Sequence, residues 1–116
     1  MTRIADGQAA ETLAAGYLEK QGLRLLERNY RSPHGEIDLV CRENGTLVFV
    51  EVRYRARSDY GTPAETVDSR KQARLRSTAE HYLLTHRGSK SNGRFDIVAI
   101  SGDLTAATIE WLKNVF

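Results

Sequence analysis

At 116 residues, with 41% hydrophobic and 28% charged side chains, the chain has the size and balance of one soluble domain spanning 1–116. Its single cysteine, Cys41, excludes an internal disulfide and a four-cysteine zinc site, and no apolar run reaches the ~18 residues of a membrane-spanning helix. The net charge is only +2, but residues 53–76 carry seven basic and three acidic side chains against six and eight in residues 1–52, a local field that suits a polyanion or, equally, a solvated helix face.

The opening segment has no basic stretch followed by an apolar core, so no signal peptide and a reduced, cytoplasmic setting are expected. The segment reads as helix. Asp6 is its expected N-cap, Ala10, Leu13, Ala14, Tyr17 and Leu18 recur on one face, and Gly22 is its expected terminator. Residues 23–30 (LRLLERNY) read as a strand, and Ser32-Pro33-His34-Gly35 as a turn. Two further strands, 36–42 and 46–55, flank Asn44-Gly45, the strongest short-range hairpin signal. Residues 56–62 read as a loop, and Pro63 as the start of a helical turn. A longer helix is expected from Asp68 or Ser69 to about Arg87, with the stripe Leu75, Ala79, Tyr82 and Leu83. Residues 88–93 read as a loop and 95–100 as a strand. Residues 106–116 fit a strand through Ile109 and Trp111, a short helix, or one after the other. The order gives an α/β sandwich with a small mixed sheet of four to five strands flanked by helices.

The hairpin carries the chemistry. With Asn44-Gly45 as a two-residue type I′ turn, Asp38 lies opposite Glu51 and Glu36 opposite Arg53. Alternation places Glu36, Asp38, Val40, Phe49, Glu51 and Arg53 on one face, and Ile37, Leu39, Cys41, Val48, Val50 and Val52 on the other. The second face is wholly apolar and belongs to a core, with Cys41 as a small buried hydrophobe. On the first face, two carboxylates ~5 Å apart repel unless a cation sits between them. Oxygen ligands of this kind suit Mg²⁺ or Mn²⁺, and Arg53 on the same face is placed to polarise a water or grip a phosphate. The alternative is a solvent-facing ladder with Glu36–Arg53 as a surface ion pair. Against it, Glu51 sits inside Val48-Phe49-Val50-Glu51-Val52, a run typical of a strand covered on both faces.

Lys71 shares the stripe of Leu75 and Ala79 one turn earlier, and either reaches back to the acids or snorkels. Arg53, Arg55, Arg57, Arg70, Lys71, Arg74 and Arg76 are candidate nucleic-acid phosphate contacts. Tyr54 and Tyr60 are candidate base-stacking residues, with packing the favoured alternative for Tyr54, whose parity places it with Val50 and Val52. His34, His81 and His86 are read as surface residues, and Asp96 has no assigned role.

Gly35-Glu36-Ile37-Asp38-Leu39 followed by Phe49-Val50-Glu51-Val52-Arg53-Tyr54-Arg55 resembles the YraN-like family of uncharacterised bacterial proteins. Supporting motifs are Glu11 with Ala14 and Leu18, Arg28-Asn29-Tyr30-Arg31, Gly61 with Pro63, Lys71 with Leu75, and Arg94-Phe95-Asp96. That family in turn resembles the PD-(D/E)XK nuclease superfamily, particularly archaeal Holliday-junction resolvases. The resemblance implies a restriction-endonuclease-like fold and a Mg²⁺-dependent DNA endonuclease. It implies that Asp38, Glu51 and the Val52 carbonyl hold the metal, and that Glu11 is a helix-one acid holding a metal-bound water. By analogy with two-fold junctions it also suggests a homodimer. The superfamily motif ends in lysine where this chain has Arg53, which is always protonated. That departure keeps open an alternative: a non-catalytic nucleic-acid-binding module on the same fold.

Overall fold

A computed structural model describes residues 3–55, 67–86 and 92–116, with side chains described from Gly7 in the first helix and from Gly93 in the fourth strand. The loop expected at 56–62 and the turn at Pro63 lie outside the described residues. The elements run α1 (Arg3–Lys20), β1 (Arg24–Ser32), β2 (Gly35–Glu43), β3 (Thr46–Arg55), α2 (Ser69–Thr85), β4 (Asn92–Ser101) and β5 (Thr108–Leu112).

The helix α1 begins at Arg3, so Asp6 lies in its first turn rather than at its N-cap. Nothing before Asp6 is a glycine or proline that would stop the helix there. Its end is as expected. Gly22 is left-handed (φ 99°), Gly22 N–H donates to Glu19 O at 3.1 Å, and Leu23 N–H donates to Leu18 O at 3.0 Å. These two bonds satisfy carbonyls that the last turn would otherwise leave open. In α2, the Asp68 carboxylate caps the helix by accepting from Lys71 N–H at 2.9 Å.

Five strands lie in the order β1-β2-β3-β4-β5, all antiparallel to their neighbours except the parallel β3–β4 pair. Crossing from β3 to a parallel neighbour requires a long connection, and α2 lies within it. The open C-terminal segment resolves as strand β5 with no helix, because Ile109 and Trp111 complete the α1-side core. The fold is therefore α/β, a five-stranded mixed sheet flanked by two helices, consistent with a small restriction-endonuclease-like architecture.

Each helix covers one sheet face. Against α1 lie Leu39, Cys41, Val48, Val50, Val98 and Ile100. Against α2 lie Val40, Leu47, Phe49 and Ile97, packed on Leu75, Ala79 and Tyr82. Cys41 is buried as expected, and burial pushes its thiol up to about 12, which leaves it unreactive. Among the described residues, no helix is long and apolar enough to cross a membrane.

Two expectations about the hairpin need correction. Asn44 is left-handed (φ 56°) but Gly45 is not, so the turn is not type I′. The register survives, with Leu39 opposite Val50 and Glu43 opposite Thr46, because a two-residue loop sets it. Secondly, Ile37 does not join Leu39 and Cys41 but packs in the α2-side core. Asn29 of β1 is left-handed (φ 53°) and sits between the pairs Arg28–Leu39 and Tyr30–Ile37, at the step where the side chains of β2 change faces. Beyond this step Ile37 lies on the α2 side and the β2–β3 ladder has ended, which leaves a fork between β2 and β3.

Candidate functional site

The fork forms where the β2–β3 ladder stops at Leu39–Val50. One residue further, the Asp38 side chain replaces a backbone partner: its Oδ2 accepts from Val52 N–H at 2.8 Å. The two strands splay beyond this point, and the second acid enters from β3. Glu51 is only 7% exposed, as its apolar flanks suggest.

The expected meeting of Asp38 and Glu51 occurs. Burial raises the Asp38 carboxyl to about 8, and the Glu51 charge, a hydrogen bond between the two side chains and Glu11 add to the rise against the lowering effect of Val52 N–H. The protonated form of Asp38 is thus favoured in the metal-free fork.

Glu51 in turn holds two cations. Its Oε2 lies 2.6 Å from Lys71 Nζ and 3.2 Å from an Arg53 nitrogen. Of the two readings of Lys71, the structure shows the one in which it reaches back to the acids. The lysine therefore comes from α2, one turn before Leu75, rather than from β3. The expected Glu36–Arg53 pairing is not formed. Glu36 lies opposite Arg31 of β1 and pairs with it at 3.3 Å at the surface, because beyond the fork β2 follows β1 rather than β3.

Glu11 projects from α1 toward the same end of the sheet. Its Oε1 is buried without a hydrogen-bond partner, and Arg28 is 3.8 Å away. Among the described residues no three His, Cys, Asp or Glu side chains group tightly enough to cage a metal. The oxygens at the fork nevertheless fit a hard divalent ion such as Mg²⁺ or Mn²⁺, which takes one or two carboxylates and keeps its remaining positions for water and phosphate. Asp38 and Glu51 would be the side-chain ligands.

The remaining expected cations divide. Arg55 closes β3, with its carbonyl accepting from Gly102 N–H at 3.0 Å. Arg70 and Arg74 are exposed on α2, and Arg76 lies over the Phe116 ring, 5.7 Å from its centroid. Arg57 and Tyr60 lie outside the described residues. Tyr54 packs on the α1 side, as expected, and its hydroxyl donates to Gly102 O at 3.1 Å. His86 stacks on Tyr82 at 4.0 Å, and His81 hydrogen-bonds Tyr30, so neither meets the acids.

Sequence reasoning missed a cleft of about 550 Å³ between the β1–β2 turn and α2, bordered by Ser32, His34, Lys71 and Arg74. Ser32-Pro33-His34-Gly35 signalled only a turn. Its juxtaposition with Arg74 is a tertiary contact with no local signature.

A family model described as an uncharacterised protein family, UPF0102, matches residues 10–100. A UPF0102 protein of Methylococcus capsulatus is 49% identical over 97% of this chain and 90% of its own length. One from Lachnoclostridium phytofermentans is 45% identical over 100% of this chain and 96% of its own. One from Nitrosomonas europaea is 49% identical over 95% and 92%.

Proposed function

We propose that this chain, which belongs to the uncharacterised UPF0102 family, is a metal-dependent nucleic-acid phosphodiesterase of the PD-(D/E)XK type. The observation that carries the reading is the fork, where Asp38, held by Val52 N–H, comes close enough to Glu51 for the two carboxyls to raise one another's cost of ionisation, and Lys71 and Arg53 converge on Glu51. A divalent ion bound there would activate water and offset charge developing on the phosphate. Asp38 and Glu51, with the Val52 carbonyl, would hold it. Lys71 and Arg53, released in part from Glu51 as the ion takes up its charge, would then face the substrate phosphate. Lys71 is a compact ammonium, as the superfamily's motif lysine is, and restores that chemistry from another element. Glu11 would orient a water, and Arg55, Arg70 and Arg74 would contact the strand's phosphates.

Three results are expected. Cleavage of branched, nicked or single-stranded DNA needs Mg²⁺ or Mn²⁺ and is lost in Asp38→Asn and Glu51→Gln. Cleavage that persists in both variants would refute the assignment. Calorimetry detects Mn²⁺ binding in the wild type and not in Asp38→Asn.

A second reading has its own observation. Both cations already balance Glu51 at 2.6 and 3.2 Å, so the fork is electrostatically satisfied without a metal. On that reading the chain is a nucleic-acid-binding module that no longer turns over. It predicts salt-sensitive binding without cleavage. Arg53→Lys separates the two: activity that appears or rises, by about tenfold for a group worth ~1.4 kcal/mol in the transition state, marks a degenerate nuclease. Activity that falls marks arginine as a working group.

A further inference from the structure

We infer that the cleft between the β1–β2 turn and α2 is the seat of one unpaired nucleotide, so that the strand recognised at the fork is single-stranded or locally opened there. The inference rests on the nucleic-acid reading of the fork and narrows its substrate class. At about 550 Å³ the cleft lies in the size range of small-ligand sites, ~300–1,000 Å³. Its lining has two characters. Arg74 gives one wall positive charge, with Lys71, paired to Glu51 at 2.6 Å, and the Ser32 hydroxyl beside it, while Pro33, the His34 ring and Leu75 offer apolar or flat surface. A nucleotide divides in the same way, into an anionic phosphate and a flat base. The one acid at the rim, Glu36, is already matched by Arg31 at 3.3 Å. Arg74 has no carboxylate partner among the described residues.

Lys71 borders the cleft and also touches Glu51, so the two sites share a wall. A strand whose phosphate meets Lys71 at the fork therefore places its neighbouring nucleotide in the cleft. Gly35 forms part of the floor. It has φ 145°, and a side chain built on it would meet Thr78 Oγ1 at 3.4 Å. The turn thus approaches α2 with no side chain in between. In an intact duplex the bases are paired and stacked and do not enter such a cleft without being flipped out.

The test compares a fluorescein-labelled single-stranded deoxyoligonucleotide with a blunt duplex of the same sequence, by anisotropy in EDTA over a range of salt. The wild type should bind the single strand more tightly. Arg74→Ala, an exposed position that folding tolerates, should weaken single-strand binding about tenfold and reduce the salt slope by ~0.7, the value for one phosphate contact. The duplex should change less. His34→Ala should weaken single-strand binding with the slope unchanged, as loss of stacking requires. Equal losses for single strand and duplex in Arg74→Ala, or no loss for either, would overturn the inference. Asp38→Asn tests the fork separately: loss of Mn²⁺ binding with strand binding in EDTA retained keeps the two claims apart. A wild type that binds neither probe overturns both.

Discussion

In the absence of divalent ions, the protein should lose stability as pH rises from about 4 to about 8. The cause is Asp38, whose carboxyl is raised to about 8 by burial first and by Glu51 second. The unfolded chain releases this proton near 3.8, the folded chain only near 8. Between those values the unfolded state binds fewer protons, so the stability contributed by protonated Asp38 is complete below 3.8 and lost on passing through the folded value. Each unit of difference corresponds to ~1.4 kcal/mol. Part of the rise comes from the Glu51 charge, which Lys71 and Arg53 already offset, so the loss over the window should be on the order of 3 kcal/mol rather than the full product. Urea titrations in EDTA from pH 5 to 8 measure it. Asp38→Asn should flatten the profile, because asparagine can still accept from Val52 N–H but carries no titrating proton. Saturating Mn²⁺ should reverse the slope, since the ion binds the deprotonated carboxylates. A wild type whose stability rises with pH in EDTA would show that the two acids do not share a desolvated fork.

The fork illustrates what local sequence carries and what it does not. The hairpin register was legible because two-residue loops between alternating runs leave one pairing, and the burial of Glu51 was legible from its four valine and phenylalanine neighbours. The departure of Ile37 was not. It coincides with a left-handed Asn29 on the neighbouring strand, a conformation that asparagine tolerates without requiring it. Arg53 was expected opposite Glu36 and instead turns to Glu51 on its own strand. Ideal pairing ignores the splay, and the buried carboxylate attracts more strongly than the exposed one. Lys71 could be placed on the right helix stripe, but its contact with Glu51 across the connection between β3 and α2 required the fold. Arg55, Arg70 and Arg74 were visible as charges, yet only the packing of α2 against the β1–β2 turn gives Arg74 a cleft to serve.

Replacing Asp96 by alanine should cost about 3–5 kcal/mol, a large share of the ~5–15 kcal/mol typical of a domain. Sequence left this acid without a role, and its surroundings supply one. Its side chain is inaccessible to solvent and accepts from Arg94 Nε at 3.1 and 3.2 Å, from Trp111 Nε1 at 2.9 Å and from Asn114 N–H at 2.9 Å. Arg94 reaches on to Glu43 at 2.7 Å, so one carboxylate ties β4 to β5, to the chain after β5 and, through Arg94, to the β2–β3 hairpin. Alanine leaves the indole N–H, the Asn114 N–H and half of a guanidinium without partners in a dry setting, and opens a void as well. Asp96→Asn preserves the volume and part of the hydrogen bonding but removes the charge, and should cost less, about 2 kcal/mol. Thermal and urea denaturation measure both. Mn²⁺ binding by Asp96→Asn, measured below its unfolding temperature, should match the wild type, because Asp96 is committed to these donors while Asp38 and Glu51 meet at the fork. A loss of stability under about 0.5 kcal/mol for Asp96→Ala would show the network to be dispensable. Loss of Mn²⁺ binding by a folded Asp96→Asn would make this acid part of the metal site and redraw the fork.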